Sequence, residues 1–209
     1  MATFKDGFNF GRFRRSTTYW LNGVLVTRSI GKSDKPFTES QKAVHQRTKL
    51  VSALLFPLKE FIAVGYEWEA RRRKLQPQNP AFSYNWRHAL TGEYPKLKIN
   101  FAKVLLSYGD MPPPVNLQVS SSDAGFIFSW GPQEGVAGTH WSDQVMLVAY
   151  FPKLKKAIFM TAGATRYQGK DLLTVFDIEH GHFAETYIAF VANDRKSISN
   201  SVYAGKVRW

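Results

Sequence analysis

The stretch from Thr38 to Lys74 restricts the possible folds of this chain more than any other. Val44, Val51, Leu54, Leu55, Leu58, Phe61 and Ile62 recur at three- and four-residue spacings, which puts them on one face of a helix. Thr38, Glu39, Ser40 and Gln41 fit a capping box, with Thr38 at the N-cap and Gln41 at N3. Pro57 removes an internal hydrogen bond, so a kink or break is expected there, and Gly65 is a second weak point. The run Arg71-Arg72-Arg73-Lys74 falls in the last turn, where cations suit the helix dipole. The apolar face of such a helix needs cover, and it is expected to pack against the hairpin and the 97–106 strand to make the first domain, with Pro57 setting the angle between two helical segments.

Before the helix, Phe4, Phe8, Phe10 and Phe13 alternate with Lys5, Arg12, Arg14 and Arg15. Gly7 and Gly11 oppose helix here, and the reading is an extended arm. Asn22-Gly23 then sits between Thr17–Leu21 and Val24–Thr27, two strand-favouring flanks, and predicts a hairpin with a type I′ turn. Tyr19, Leu21, Val24 and Val26 share one face of that hairpin, and Trp20 and Leu25 share the other. A hairpin apolar on both faces is not stable alone in water, so cover is expected from this chain or from another copy. Gly31–Phe37 reads as a linker.

After the helix, Asn79 and Pro80 predict the start of a short helix over Ala81–Thr91, closed by Gly92. Leu97, Ile99 and Phe101 alternate at period two and predict a strand that continues through Val104, Leu105 and Leu106. Met111-Pro112-Pro113-Pro114 reads as a stiff spacer and marks the expected boundary between a domain over 1–111 and a domain over 112–209. Beyond it the pattern becomes all strand: Val115–Val119, Phe126–Trp130, Gln144–Phe151, Ala157–Thr161, Leu172–Asp177, Thr186–Val191 and Ser201–Val207. Seven short strands predict a β-sandwich. The expected class is therefore α+β: a hairpin, a long kinked helix, a short helix and a strand, followed by an all-β sandwich.

Trp130 ends a short strand before Gly131-Pro132, and Tyr187-Ile188-Ala189-Phe190-Val191 precedes a turn and a last strand. Over about 112–207 this resembles the fibronectin type III pattern, which implies a fold and no particular function. The Gly-rich segment Gln133–Ser142 has no place in that pattern. The whole chain also resembles a family of uncharacterised proteins of Bacteroidetes type. That resemblance is carried by the opening Met1-Ala2-Thr3-Phe4-Lys5-Asp6-Gly7-Phe8-Asn9, by Asn79-Pro80-Ala81, by Gly92-Glu93-Tyr94-Pro95 and by Leu106-Ser107-Tyr108-Gly109. It implies the two-part layout and no activity.

Charge separates the halves. Residues 1–111 hold 19 basic and 8 acidic residues, a net +11, whereas residues 112–209 come to +1. This asymmetry suits a nucleic-acid, anionic-membrane or acidic-partner surface, and equally a solvated basic face. Cysteine is absent, which excludes disulfides and thiolate chemistry. Met1–Phe13 has no continuous apolar core of a signal peptide, and Leu50–Val64 is too short and too charged to span a bilayer. Synthesis in the cytoplasm is the expectation, with release as part of an assembly left open.

No catalytic signature is present. Gly163–Lys170 misses a phosphate loop, because five residues separate Gly163 from Gly169 and Asp171 stands where Ser or Thr is needed. Asp177, Glu179, His180, His182 and Glu185 include a His-x-His pair able to bind zinc or copper, yet they fall where a turn between strands is expected, and turns collect polar residues for solvation alone. The expectation is a non-enzymatic structural or interaction subunit without cofactor or metal, assembling with copies of itself or with a protein partner. Its candidate assembly surface is Phe4, Phe8, Phe10, Phe13, Tyr19, Trp20 and Leu25. The alternative is nucleic-acid binding through Arg12, Arg14, Arg15, Arg71, Arg72, Arg73 and Lys74, where cations and interleaved rings can neutralise phosphates and stack on bases.

Overall fold

The computed structural model describes residues 3–5, 7–31, 35–132 and 135–209, and omits the side chains of Phe4, Lys5, Phe8 and Asn9. Contacts divide the chain into two compact units, at Glu39/Ser40. The expected boundary at Met111–Pro114 is not where the contacts divide. Met111 is buried there and bridges to Ser199, inside the second unit.

The first unit is a four-stranded antiparallel meander of β1 (Thr3–Lys5), β2 (Phe8–Phe13), β3 (Ser16–Leu21) and β4 (Val24–Ser29), in that spatial order. The hairpin β3–β4 has the expected register, Tyr19 opposite Val26 and Leu21 opposite Val24. Asn22 (φ 51°) and Gly23 (φ 80°) supply the two positive φ values of a type I′ turn. The expected extended arm is built into the sheet: Thr3–Lys5 and Phe8–Phe13 are paired strands. Gly7, read as a helix breaker, is the left-handed residue (φ 80°) of the turn joining them.

In the second unit the long helix runs as α1 (Glu39–Leu55), a 3-10 turn over Phe56–Leu58, α2 (Lys59–Gly65) and α3 (Glu67–Arg73). Pro57 stands at the first break as expected. The second break, at Gly65/Tyr66, comes from close approach. A Cβ on Gly65 would lie 2.5 Å from the Leu106 carbonyl oxygen, and Tyr108 N donates to the Gly65 carbonyl at 2.9 Å. The second helix, α4 (Gln78–His88), is followed by the two-residue strands β5 (Leu90–Thr91) and β6 (Lys98–Ile99).

The expected strand over 97–106 is also corrected. It pairs only at β6, forms a 3-10 turn over Phe101–Lys103 and then runs extended without a strand partner. Side chains satisfy its backbone instead. Leu105 N donates to Asn85 Oδ1, Asn85 Nδ2 donates to the Leu105 carbonyl at 2.8 Å, and Leu106 N donates to Ser201 Oγ.

All seven strands of the C-terminal half form: β7 (Gln118–Ser122), β8 (Gly125–Ser129), β9 (Gln144–Phe151), β10 (Lys156–Met160), β11 (Lys170–Thr174), β12 (Phe183–Val191) and β13 (Val202–Arg208). They make an antiparallel sheet in the order β10-β9-β12-β13 and another in the order β11-β8-β7. Val145, Leu147, Ala149 and Phe151 of β9, with Ile188 and Phe190 of β12, pack with Phe126, Phe128 and Leu173 of the smaller sheet. The alternate residues Met146, Val148, Tyr150, Tyr187, Ala189 and Val191 pack with Val51, Leu54, Leu58, Phe61 and Ile62 of the helical layer. The second unit is thus three layers with two cores, and the four-stranded sheet is the middle one. This explains why β9 is an unbroken apolar run: a strand covered on both faces has no polar side to show.

Candidate functional site

The meander carries the expected assembly residues. Trp20 and Leu25 face each other across β3 and β4 on one face, and Phe10 stacks on Trp20 with centroids 6.2 Å apart. Tyr19, Leu21, Val24 and Val26 occupy the other face. Trp20, Leu21 and Val24 are 61%, 52% and 63% exposed, and Phe13 is exposed as well. Of the expected residues, Phe4 and Phe8 have side chains outside those described. Thr18 is buried, its hydroxyl 2.9 Å from that of Thr27. Large apolar side chains thus stand in water on both faces of the meander.

The expected cations separate into two groups. Arg12, Arg14 and Arg15 are exposed at the β2–β3 turn, with Arg14 in the left-handed region (φ 51°) and its guanidinium 5.5 Å from the Phe13 ring. Arg71, Arg72 and Arg73 lie 2.6, 2.5 and 2.5 Å from carboxylate oxygens of Glu67, Glu69 and Glu69. Lys74 closes α3 in the left-handed conformation (φ 54°), a helix C-cap. Three of the four cations that stand out in the sequence are thus paired with two acids one turn earlier. The Arg71–Glu67 pair is exposed and contributes about 0.3–0.5 kcal/mol, whereas Glu69 is buried and holds Arg72 and Arg73 from below, and both acids lower the local positive potential.

The residues considered for metal binding do not converge. His180 lies flat on the Trp209 ring at 4.2 Å, and Glu185 accepts a 2.6 Å hydrogen bond from Tyr203 Oη. Among the described residues no group of three or more His, Asp or Glu side chains stands close enough to share an ion. No helix among them is long and apolar enough to cross a membrane.

A second feature was not legible in the sequence. The loops β8–β9 and β10–β11 meet at one end of the paired sheets. There, Trp130, Pro132, Thr139, His140, Trp141, Arg166 and Tyr167 line a cavity of about 370 Å³. Trp130 is buried, donates its indole N–H to the Arg166 carbonyl at 2.8 Å, and meets Phe190 edge-on. Arg166 and Asp143 form a buried ion pair at 3.1 Å, with both side chains 3% exposed, and the guanidinium lies 3.8 Å from the Phe190 centroid. Burial pushes the Arg166 guanidinium below its ordinary range, and the Asp143 carboxylate pulls it back. On this rigid base Trp141 and Tyr167 stand 66% and 73% exposed. Their loops are tied by a backbone hydrogen bond from Tyr167 N to the Trp141 carbonyl. Two rings from loops over twenty residues apart leave no periodic trace.

This three-layer unit with its meander defines a class by likeness as well as by geometry. Residues 19–205 match a family of unknown function, DUF6266, and the chain belongs to that family. The match begins inside β3, so β1 and β2 lie outside it. No curated protein matches the chain.

Proposed function

We propose that this protein is a non-enzymatic interaction subunit that assembles with copies of itself through the N-terminal meander. One observation carries the reading: within its own unit the meander has one layer among the described residues, with Trp20 exposed on one face and Leu21 and Val24 on the other. A sheet needs a second layer to bury such residues, and an identical sheet supplies it with the same chemistry. Strand β4 adds an outer backbone edge with no partner strand among the described residues and no proline, which suits pairing between copies. Such a contact is self-complementary and closes as a two-fold dimer, or extends if both edges are used.

The C-terminal sheets serve, in this reading, as a fibronectin type III-like body. The orders β11-β8-β7 and β10-β9-β12-β13 support it, as does Trp130 at the end of β8 inside the shared core. Light scattering across a range of concentrations tests the assembly. The wild-type chain is expected to associate, and a Leu21→Glu, Val24→Glu variant to remain monomeric while folded. A wild-type monomer at every concentration overturns the proposal. Nucleic-acid binding is the second reading. It rests on exposed Arg12, Arg14 and Arg15, since Glu67 and Glu69 occupy Arg71–Arg73. It requires binding that weakens steeply with salt.

A further inference from the structure

We propose that the aromatic cavity at the loop end binds a proline-rich segment in the polyproline II conformation. The lining fits that ligand by complementarity of donors and charge. An oligoproline is neutral, has no backbone N–H, and offers only carbonyl acceptors and flat apolar rings. The cavity offers the converse. Trp141 and Tyr167 present exposed rings, and among the described residues neither Trp141 Nε1 nor Tyr167 Oη has a hydrogen-bond partner. The lining's cation, Arg166, is already neutralised by Asp143. Among the described lining residues no unpaired charge is left as counter-ion for a charged peptide. Proline ligands dock in such aromatic-lined grooves because their conformation is preformed and little entropy is lost on binding.

The same loop end already holds a proline segment of this chain. Arg166 Nη2 donates to the Pro112 carbonyl at 3.2 Å, and Gly138 lies so close to Pro112 that a Cβ there would sit 3.3 Å from the proline ring. A donor on a proline carbonyl with backbone against the ring is the contact proposed for the incoming segment. The cavity, at about 370 Å³, lies within the ordinary range for ligand sites. One turn of polyproline II, three residues rising about 9 Å, is the unit expected to fill it.

This proposal is independent of the meander, so either can fail without the other. The test is calorimetric titration of the full-length chain with a short oligoproline, with the indole N–H resonances followed by NMR. Saturable binding that shifts the Trp141 resonance is expected. Trp141→Ala and Tyr167→Ala should each weaken binding about tenfold, the usual effect of truncating an aromatic anchor. Both side chains are exposed, so the variants should keep the wild-type circular dichroism. Tyr167→Phe, which loses only the O–H, should weaken binding less. Absence of binding, or binding unaffected by either alanine, overturns the proposal. So does a preference for neutral oligosaccharides or small aromatic molecules over oligoproline.

Discussion

The pair Arg166–Asp143 allows a sharp test, because both side chains are almost wholly buried. Asp143→Ala removes the carboxylate that accepts from Arg166 Nε at 3.1 Å and from His140 N at 2.8 Å. The guanidinium stays behind in the low-dielectric interior with the Pro112 carbonyl and the Phe190 ring among its neighbours. Leaving one buried charge unpaired costs about 3–5 kcal/mol. The carbonyl and ring share part of that charge, which places the expected loss near the lower end, about 3 kcal/mol. For a chain of this size that lowers the melting temperature by about 6–12 °C. Urea unfolding followed by circular dichroism measures it. Replacing both partners, as Arg166→Met with Asp143→Asn, removes the stranded charge and keeps an acceptor for His140 N. The double variant should be the more stable of the two. A single variant that loses under about 1 kcal/mol, or a double variant that loses as much as the single, would refute the claim that burial makes this pair costly to break.

Three further outcomes are expected. Burial holds the hydroxyls of Tyr66 and Tyr187 above the usual tyrosine range, so in alkali the unfolded chain ionises first; stability should be complete below about pH 10 and fall above it, by about 1.4 kcal/mol per pH unit for each tyrosine, in urea midpoints across that range. Asn85→Ala should cost about 2–3 kcal/mol in the same assay, since the buried Leu105 N–H is left without its acceptor. Gly65→Ala should lower stability by about 1–3 kcal/mol, because the new methyl meets the Leu106 carbonyl, and backbone yields little. An increase, as helix propensity alone would give, would show that the 106–108 segment is looser than its contacts indicate.

Features set by local chemistry were readable from the chain. Asn22-Gly23 fixes its turn by φ preference, Pro57 breaks a helix wherever it sits, and strands β7–β13 announce themselves by short β-favouring runs. Features set by distant partners were not. Residues 97–106 alternate like a strand, yet Asn85 and Ser201 reach their backbone first. Gly7 argues against helix, but the same left-handed freedom builds a strand turn. The run Arg71–Lys74 invites a phosphate reading until Glu67 and Glu69 are placed beside it. The apolar stretch Val145–Phe151 did hold the clue to a covered outer face, since a sheet open to water on one side would alternate. The aromatic cavity joins loops that only the folded sheets bring together.

The middle sheet has a consequence for modularity. Bead-like domains of the sandwich kind can be cut from one chain and joined to another because their outer faces are wet. Here the outer face of β9 and β12 is Met146, Val148, Tyr150, Tyr187, Ala189 and Val191, roofed by the helices that precede it in the chain. Severed at the proline segment, the C-terminal half would carry a greasy wall into solution, and the helical half would lose its floor. The two halves are therefore not portable parts.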